Sequence, residues 1–127
     1  NADFFQETVE NLIQQQENAV QLLILDSSSI HDIDSTGVHA LEEVMQYLQT
    51  RGIRLYLAGV IGPVRDRLYR YGLMEKIGYQ NQFLKISDAL QYYRSTKEEI
   101  ETEGWTYRAL QTNLKEKDGK EGGLSKE

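Results

Sequence analysis

The fold turns on the stretch Leu25-Asp26-Ser27-Ser28-Ser29-Ile30-His31-Asp32-Ile33-Asp34-Ser35-Thr36-Gly37. Upstream, Val20, Leu22, Leu23, Ile24 and Leu25 form a continuous apolar run. At this length, and with Asp26 and three serines behind it, the run reads as a strand buried on both faces, which implies a parallel sheet. Downstream, Val38, Leu41, Val44, Met45 and Leu48 return to helical spacing, predicting a helix over 36–50 that ends at Arg51 and Gly52, a cation followed by a flexible stop. A polar loop ending in Asp-Ser-Thr-Gly therefore joins a buried strand to an amphipathic helix. Asp34 or Ser35 supplies an N-cap oxygen, and the free N–H groups and positive dipole end of the helix lie just beyond. Ligand sites in such sheets favour the carboxyl ends of strands, so Asp26, Asp34, Ser35, Thr36 and Gly37 form the candidate ligand- or partner-binding loop.

Outward from this point the pattern repeats. Phe5, Val9, Leu12 and Ile13 share one face of an opening helix that runs to about Gln16. Ile53, Leu55, Tyr56, Leu57 and Ala58 make a second buried strand closing at Gly59, and Pro63 fits the first turn of the next helix, where its missing N–H is not needed. That helix carries Val64, Leu68 and Tyr71 and stops at Gly72. Leu73, Met74 and Ile77 look like a short packing corner, Phe83 and Leu84 like a brief third strand, and Ser87 like the cap of a last long helix with Ala89, Leu90 and Tyr93 inward and Glu98 to Glu103 exposed. The order predicts an α/β domain over residues 1–103, a mostly parallel sheet joined by right-handed crossovers and flanked by helices on both faces. After Gly104, Trp105, Tyr107, Leu110 and Leu114 suggest one or two further helical turns. Lys115 to Glu127 is charged and nearly free of apolar residues, so 104–127 reads as a largely disordered tail.

A chain of 127 residues suits one core. Its net charge of −6 argues against a surface that neutralises nucleic-acid phosphates or inserts into anionic lipid. No apolar run approaches the roughly 20 residues that cross a bilayer, and no signal-peptide pattern is present, so this stretch reads as soluble. The absence of cysteine excludes disulfides, thiolate zinc sites and thiol catalysis.

Enzymatic readings find little support. Asp26, Asp32 and Asp34 with His31 and His39 match no dedicated metal-ligand spacing, and no cofactor is indicated. Nothing supplies a nucleophile with an oriented base, and both the nucleophile elbow and the phosphate-cradling glycines of a P-loop are missing. Ser35 is a helix cap in the plain reading and a regulatory phosphosite in the sharper one, since phosphate is welcome at a helix N-terminus. Three nearby carboxylates, with no Lys or Arg close in sequence, count against the added charge. Arg65, Arg67 and Arg70 mark either a solvated helix face or a docking patch. Tyr69, Tyr71, Tyr79, Tyr92 and Tyr93 read as core and rim packing, and Trp105 as a contact surface or a fold-back of the tail.

Asp34-Ser35-Thr36-Gly37 after a buried strand, then Arg51-Gly52-Ile53-Arg54-Leu55 and Gly62-Pro63-Val64-Arg65-Asp66, resembles the STAS domain. The Gly-Pro-Val-Arg-Asp run and the Asn1-Ala2-Asp3-Phe4-Phe5 opening lean toward the SulP anion-transporter branch, over about residues 1 to 95. The resemblance implies a regulatory and interaction domain without catalytic activity. It would sit on the cytoplasmic face of the membrane as part of an integral bicarbonate or sulfate transporter, with that transporter's membrane domain and a second copy as partners. The alternative within the family is a freestanding anti-sigma-factor antagonist switched by phosphorylation of Ser35. A nucleotide at the loop is a further candidate ligand by analogy with some relatives. STAS domains normally open with two strands before the first helix, and those are missing here. The chain is therefore expected to be a fragment whose first strand, or its neighbour, keeps an open edge.

Overall fold

The computed structural model describes residues 2–96 and the backbone of residues 108–111 and 123–126. Helix α1 (Ala2–Gln14) leads to strand β1 (Leu22–Asp26), helix α2 (Ser35–Thr50), strand β2 (Arg54–Ala58) and helices α3 (Gly62–Arg70) and α4 (Leu73–Ile77). A turn of 3₁₀ helix at Tyr79–Asn81, a two-residue strand β3 (Gln82–Phe83) and helix α5 (Ile86–Thr96) follow, and then strands β4 (Arg108–Gln111) and β5 (Gly123–Lys126). The sheet order is β3-β2-β1-β4-β5, parallel except for β5 against β4. The apolar runs thus become central parallel strands, as their unbroken hydrophobicity requires.

Alternation along the two central strands sends side chains to two different cores. Leu23, Leu25 and Leu57 point to an aliphatic core shared with Phe5 and Val9 of α1, Val38, Leu41, Val44 and Leu48 of α2, and Leu68, Leu73 and Met74 beyond. Ile24, Tyr56 and Ala58 point the other way, to Ala89 and Tyr93 of α5 with Phe83 and Tyr92 alongside. This second core is mainly aromatic: Tyr56 stands 5.1 Å from Phe83 and 6.1 Å edge-on from Tyr93, within the range of favourable ring pairing. Burial raises the pKa of the Tyr56 and Tyr93 hydroxyls, while the nearby Arg54 charge opposes the rise at both.

Several element ends differ from the sequence reading. Strand β1 begins at Leu22 rather than Val20, because residues 20 and 21 approach the sheet only through the bond from Arg54 N–H to Gln21 C=O (3.0 Å). Helix α5 starts at Ile86, so Ser87 lies inside its first turn rather than capping it. Tyr69, Tyr71 and Tyr79 are exposed where packing was expected, because they fall on the outer face of α3 and on the turns beyond it. The tail also differs at eight residues: 108–111 and 123–126 are strands, and β4 pairs with β1 at Leu25↔Leu110 and Asp26↔Gln111. The edge expected to stand open is therefore partly covered, since an unpaired edge at the rim of an apolar strand favours any extended segment that reaches it. Trp105, the Glu98 to Glu103 stretch that was expected to be exposed, and the other residues of 97–107, 112–122 and 127 lie outside the described residues.

Candidate functional site

The loop after β1 is polar in composition yet firmly seated. Ser27 is buried; its N–H donates to Ala58 C=O at 2.7 Å and extends the β1–β2 ladder by one rung. Asp26 Oδ1 accepts from both the N–H (3.1 Å) and the hydroxyl (2.8 Å) of Ser28, closing a tight turn. The chain then drops two aliphatic plugs into the core: Ile30 and Ile33 are 1% and 0% exposed. Burying such side chains is worth about 1.5–3 kcal/mol each, enough to hold an otherwise hydrophilic loop against the sheet.

Helix α2 begins with a well-formed cap. Asp34 has extended backbone angles (φ −98°, ψ −177°), and its Oδ1 accepts from Gly37 N–H at 2.9 Å. Asp34, and not Ser35, is thus the N-cap. Ser35 and Thr36 occupy the first turn with exposed side chains, while Gly37 and Val38 turn inward. Asp26 closes β1, and Asp34, Ser35, Thr36 and Gly37 open α2, so the residues that the sequence singled out stand at the two ends of the β1–α2 loop.

The arginines of α3 reach different parts of the structure. Arg67, one turn from the end of α3, donates from Nη1 to Ile33 C=O at 2.9 Å and holds Nη2 3.7 Å from Asp32 Oδ1. Arg65 turns back to donate to Val60 C=O at 2.9 Å. Both lock loop backbone in place, while Arg70 stands exposed in the last turn of α3. The sequence placed no cation near the carboxylates; tertiary folding brings Arg67 there across 34 positions. No local signal could have shown it, although Ile30 and Ile33, two apolar residues in a polar loop, did mark where the loop is anchored.

A close approach seals the site from the neighbouring connection. Gly59 has φ +76°, and a Cβ at that position would lie 2.9 Å from Ser28 Cβ. Only glycine accepts both the left-handed backbone and the contact. The result is a rigid rim presenting two hydroxyls, carboxylates and a helix start. His39, the histidine on α2, turns along its own helix toward Glu42 (3.8 Å) and Glu43 (3.6 Å) and away from the loop. Among the described residues no three His, Asp or Glu side chains converge as metal ligands. Chemically this rim can offer donors and acceptors to a partner surface.

Comparison with known proteins now defines the class. The STAS domain family profile matches residues 1–91, and the chain belongs to that family. It is 34% identical over 114 residues to sulfate transporter 2.2 of Arabidopsis thaliana, covering 79% of this chain and 17% of that protein. Among solved structures, the STAS domain of a SulP transporter from Vibrio cholerae superposes with a TM-score of 0.67 at 28% identity, covering 75% of this chain and 74% of that one. A sulfate transporter family protein from Wolinella succinogenes gives 0.65 at 30% identity, over 74% and 77% of the two chains. The chain thus spans less than a fifth of the sulfate transporter it matches. Among the described residues no helix is long and apolar enough to cross a membrane.

Proposed function

We propose that this chain is the regulatory and assembly domain of a SulP-type inorganic anion transporter that carries sulfate or bicarbonate. It acts on the cytoplasmic side without chemistry of its own, pairing with a second copy and docking on the transporter's membrane domain. The observation that carries the reading is the β1–α2 rim: Ser35 and Thr36 stand exposed on a helix start whose backbone is fixed by Asp34, Arg67, Ile30 and Ile33. A recognition surface gains affinity when it is ordered before its partner arrives, because less freedom is lost on binding. Relatives named as sulfate transporters support the anion class. Ser35 is also the position where an added phosphate would alter docking, on a loop that Arg67 already reaches at Ile33.

The test is made in the intact transporter. Ser35→Arg combined with Thr36→Arg should change the uptake rate of labelled sulfate or bicarbonate by about fivefold, the lower range of typical coupling between sites, at equal membrane abundance. Unchanged uptake of both anions at equal abundance overturns the regulatory reading. Running both anions side by side assigns the cargo, and equilibrium sedimentation of the 127-residue chain tests the homodimer.

A further inference from the structure

The helices over the aliphatic core form one layer, and charge is divided unevenly within it. Phe5 and Val9 of α1, Leu41 and Val44 of α2, Leu68 of α3 and Met74 of α4 all enter the same core, so the outer sides of these four helices lie on one face of the sheet. Helices α1 and α2 contain five carboxylates, Asp3, Glu7, Glu10, Glu42 and Glu43, and no Lys or Arg. Helices α3 and α4 contain four cations, Arg65, Arg67, Arg70 and Lys76, against two carboxylates. The two halves meet where Lys76 Nζ stands 3.7 Å from Glu42 Oε2. The seam is a groove of about 880 Å³, with Glu42 and Glu43 among its α2 residues and Lys76 among those of α4.

The basic half is also where aromatic rings stand in solvent. Tyr69, Tyr71 and Tyr79 are 62%, 47% and 53% exposed, three of the five large apolar side chains so placed among the described residues. Desolvation, the Tyr69 hydroxyl and the Glu75 carboxylate each raise the pKa of Tyr79, so these three side chains share one patch. Tyrosine and arginine are the types enriched where proteins bury surface against one another. Arg70, between Tyr69 and Tyr71, is exposed and has no ion-pair partner among the described residues. Across the seam Glu43 is exposed too, with only His39 beside it at 3.6 Å.

A partner of one sign cannot satisfy both halves. A basic surface laid over the seam is attracted by α2 and repelled by α3 and α4, and an acidic one meets the reverse. A second copy of the chain carries both signs at the matching spacing. Turned about a two-fold axis at the seam, it sets its acidic half on the other's basic half, and does so twice, because a two-fold contact joins the same two patches in both directions. Two chains of net charge −6 otherwise repel, which disfavours pairings that bring acidic halves together.

We propose that the seam between α2 and α4 is the face on which two copies of this chain pair, Glu43 of each lying opposite Arg70 of the other with Tyr69 and Tyr79 buried between them. The inference rests on the pairing with a second copy proposed above and names the surface that carries it.

The test is equilibrium sedimentation of the 127-residue chain in low salt, at concentrations up to about 1 mM. The unaltered chain should dimerise. Glu43→Arg and Arg70→Glu should each weaken the dimer by about tenfold or more, since each sets like charges together twice. An equimolar mixture of these two variants should associate as tightly as the unaltered chain, because both contacts of the mixed dimer again join opposite charges. Tyr69→Ser combined with Tyr79→Ser should weaken the dimer by about tenfold with the urea midpoint of the monomer unchanged, as both rings are exposed there. A dimer indifferent to these substitutions, or single variants that fail to restore one another in the mixture, overturns this face and leaves the pairing itself standing. A chain that stays monomeric at about 1 mM overturns the face and the pairing together.

Discussion

The first two strand-to-helix crossings of the molecule, β1 to α2 and β2 to α3, have opposite characters. Between β1 and α2 the chain spends eight residues, 27–34, and ends on Asp34, whose side chain caps the helix at 2.9 Å. Between β2 and α3 it spends three, Gly59 to Ile61, and the helix opens with Pro63 in its first turn and no side-chain cap. The short crossing solves the turn with backbone alone: a left-handed glycine whose N–H donates to Phe83 C=O at 2.8 Å, and a proline that needs no partner for its nitrogen. The long crossing can carry hydroxyls and carboxylates because two isoleucines and Arg67 hold it down. Length alone would have made it floppy; anchoring makes it a surface.

If that contrast is right, the anchors matter more than the polar groups they display. Ile33→Ala should be the most damaging change in the long crossing, costing about 2–5 kcal/mol in urea unfolding, since the residue is fully buried and its site is bounded by sheet and helix. A loss below about 0.5 kcal/mol would mean that the loop rests on its surface bonds instead. Gly59→Ala should come next, costing about 1–3 kcal/mol by combining backbone strain with the contact to Ser28. Ser28→Gly in the same chain should restore part of that loss by removing the Cβ it meets, and a double-mutant cycle with no coupling would separate the two crossings.

Asp34→Ala should cost about 1 kcal/mol through the lost cap, with Asp34→Ser retaining most of the stability. The smallest effect belongs to the residue of greatest functional interest. Ser35→Ala should change stability by less than about 0.5 kcal/mol, because its side chain is exposed and the capping is done next door. A larger loss would show that Ser35 carries structure as well as display.

Much of this architecture was legible before any coordinates. The runs Leu22 to Leu25 and Ile53 to Ala58 could only be strands buried on both faces, and the spacing Val38, Leu41, Val44, Leu48 could only bury one helix face. Pro63 was placed correctly by what it lacks. The errors fall where no periodicity speaks. Ser87 has the chemistry of a cap, yet Ile86 already packs toward the aromatic core and the helix starts two residues earlier than a cap at Ser87 would give. Tyr69, Tyr71 and Tyr79 carry apolar rings that composition assigns to the interior, while their positions relative to Leu68 and Leu73 turn them out.

The candidate rim divides in the same way. Asp26, Asp34, Ser35, Thr36 and Gly37 were found together because they are neighbours along the chain. Arg65, Arg67 and Arg70 were grouped for the same reason, yet Arg65 reaches Val60 and Arg67 reaches Ile33, because a helix turns residues two apart toward different sides. By itself the sequence determined the alternation of strands and helices, the parallel sheet and the helix start that carries Ser35, since all of these follow from local pattern and backbone chemistry. Tertiary structure alone decided that Arg67 secures Ile33, that Ser28 meets Gly59, and that β3 pairs with β2 only at Leu57 and Ala58. Each is a meeting of residues far apart in the chain, and nothing in a residue's immediate neighbours records which distant group the folded sheet will set against it.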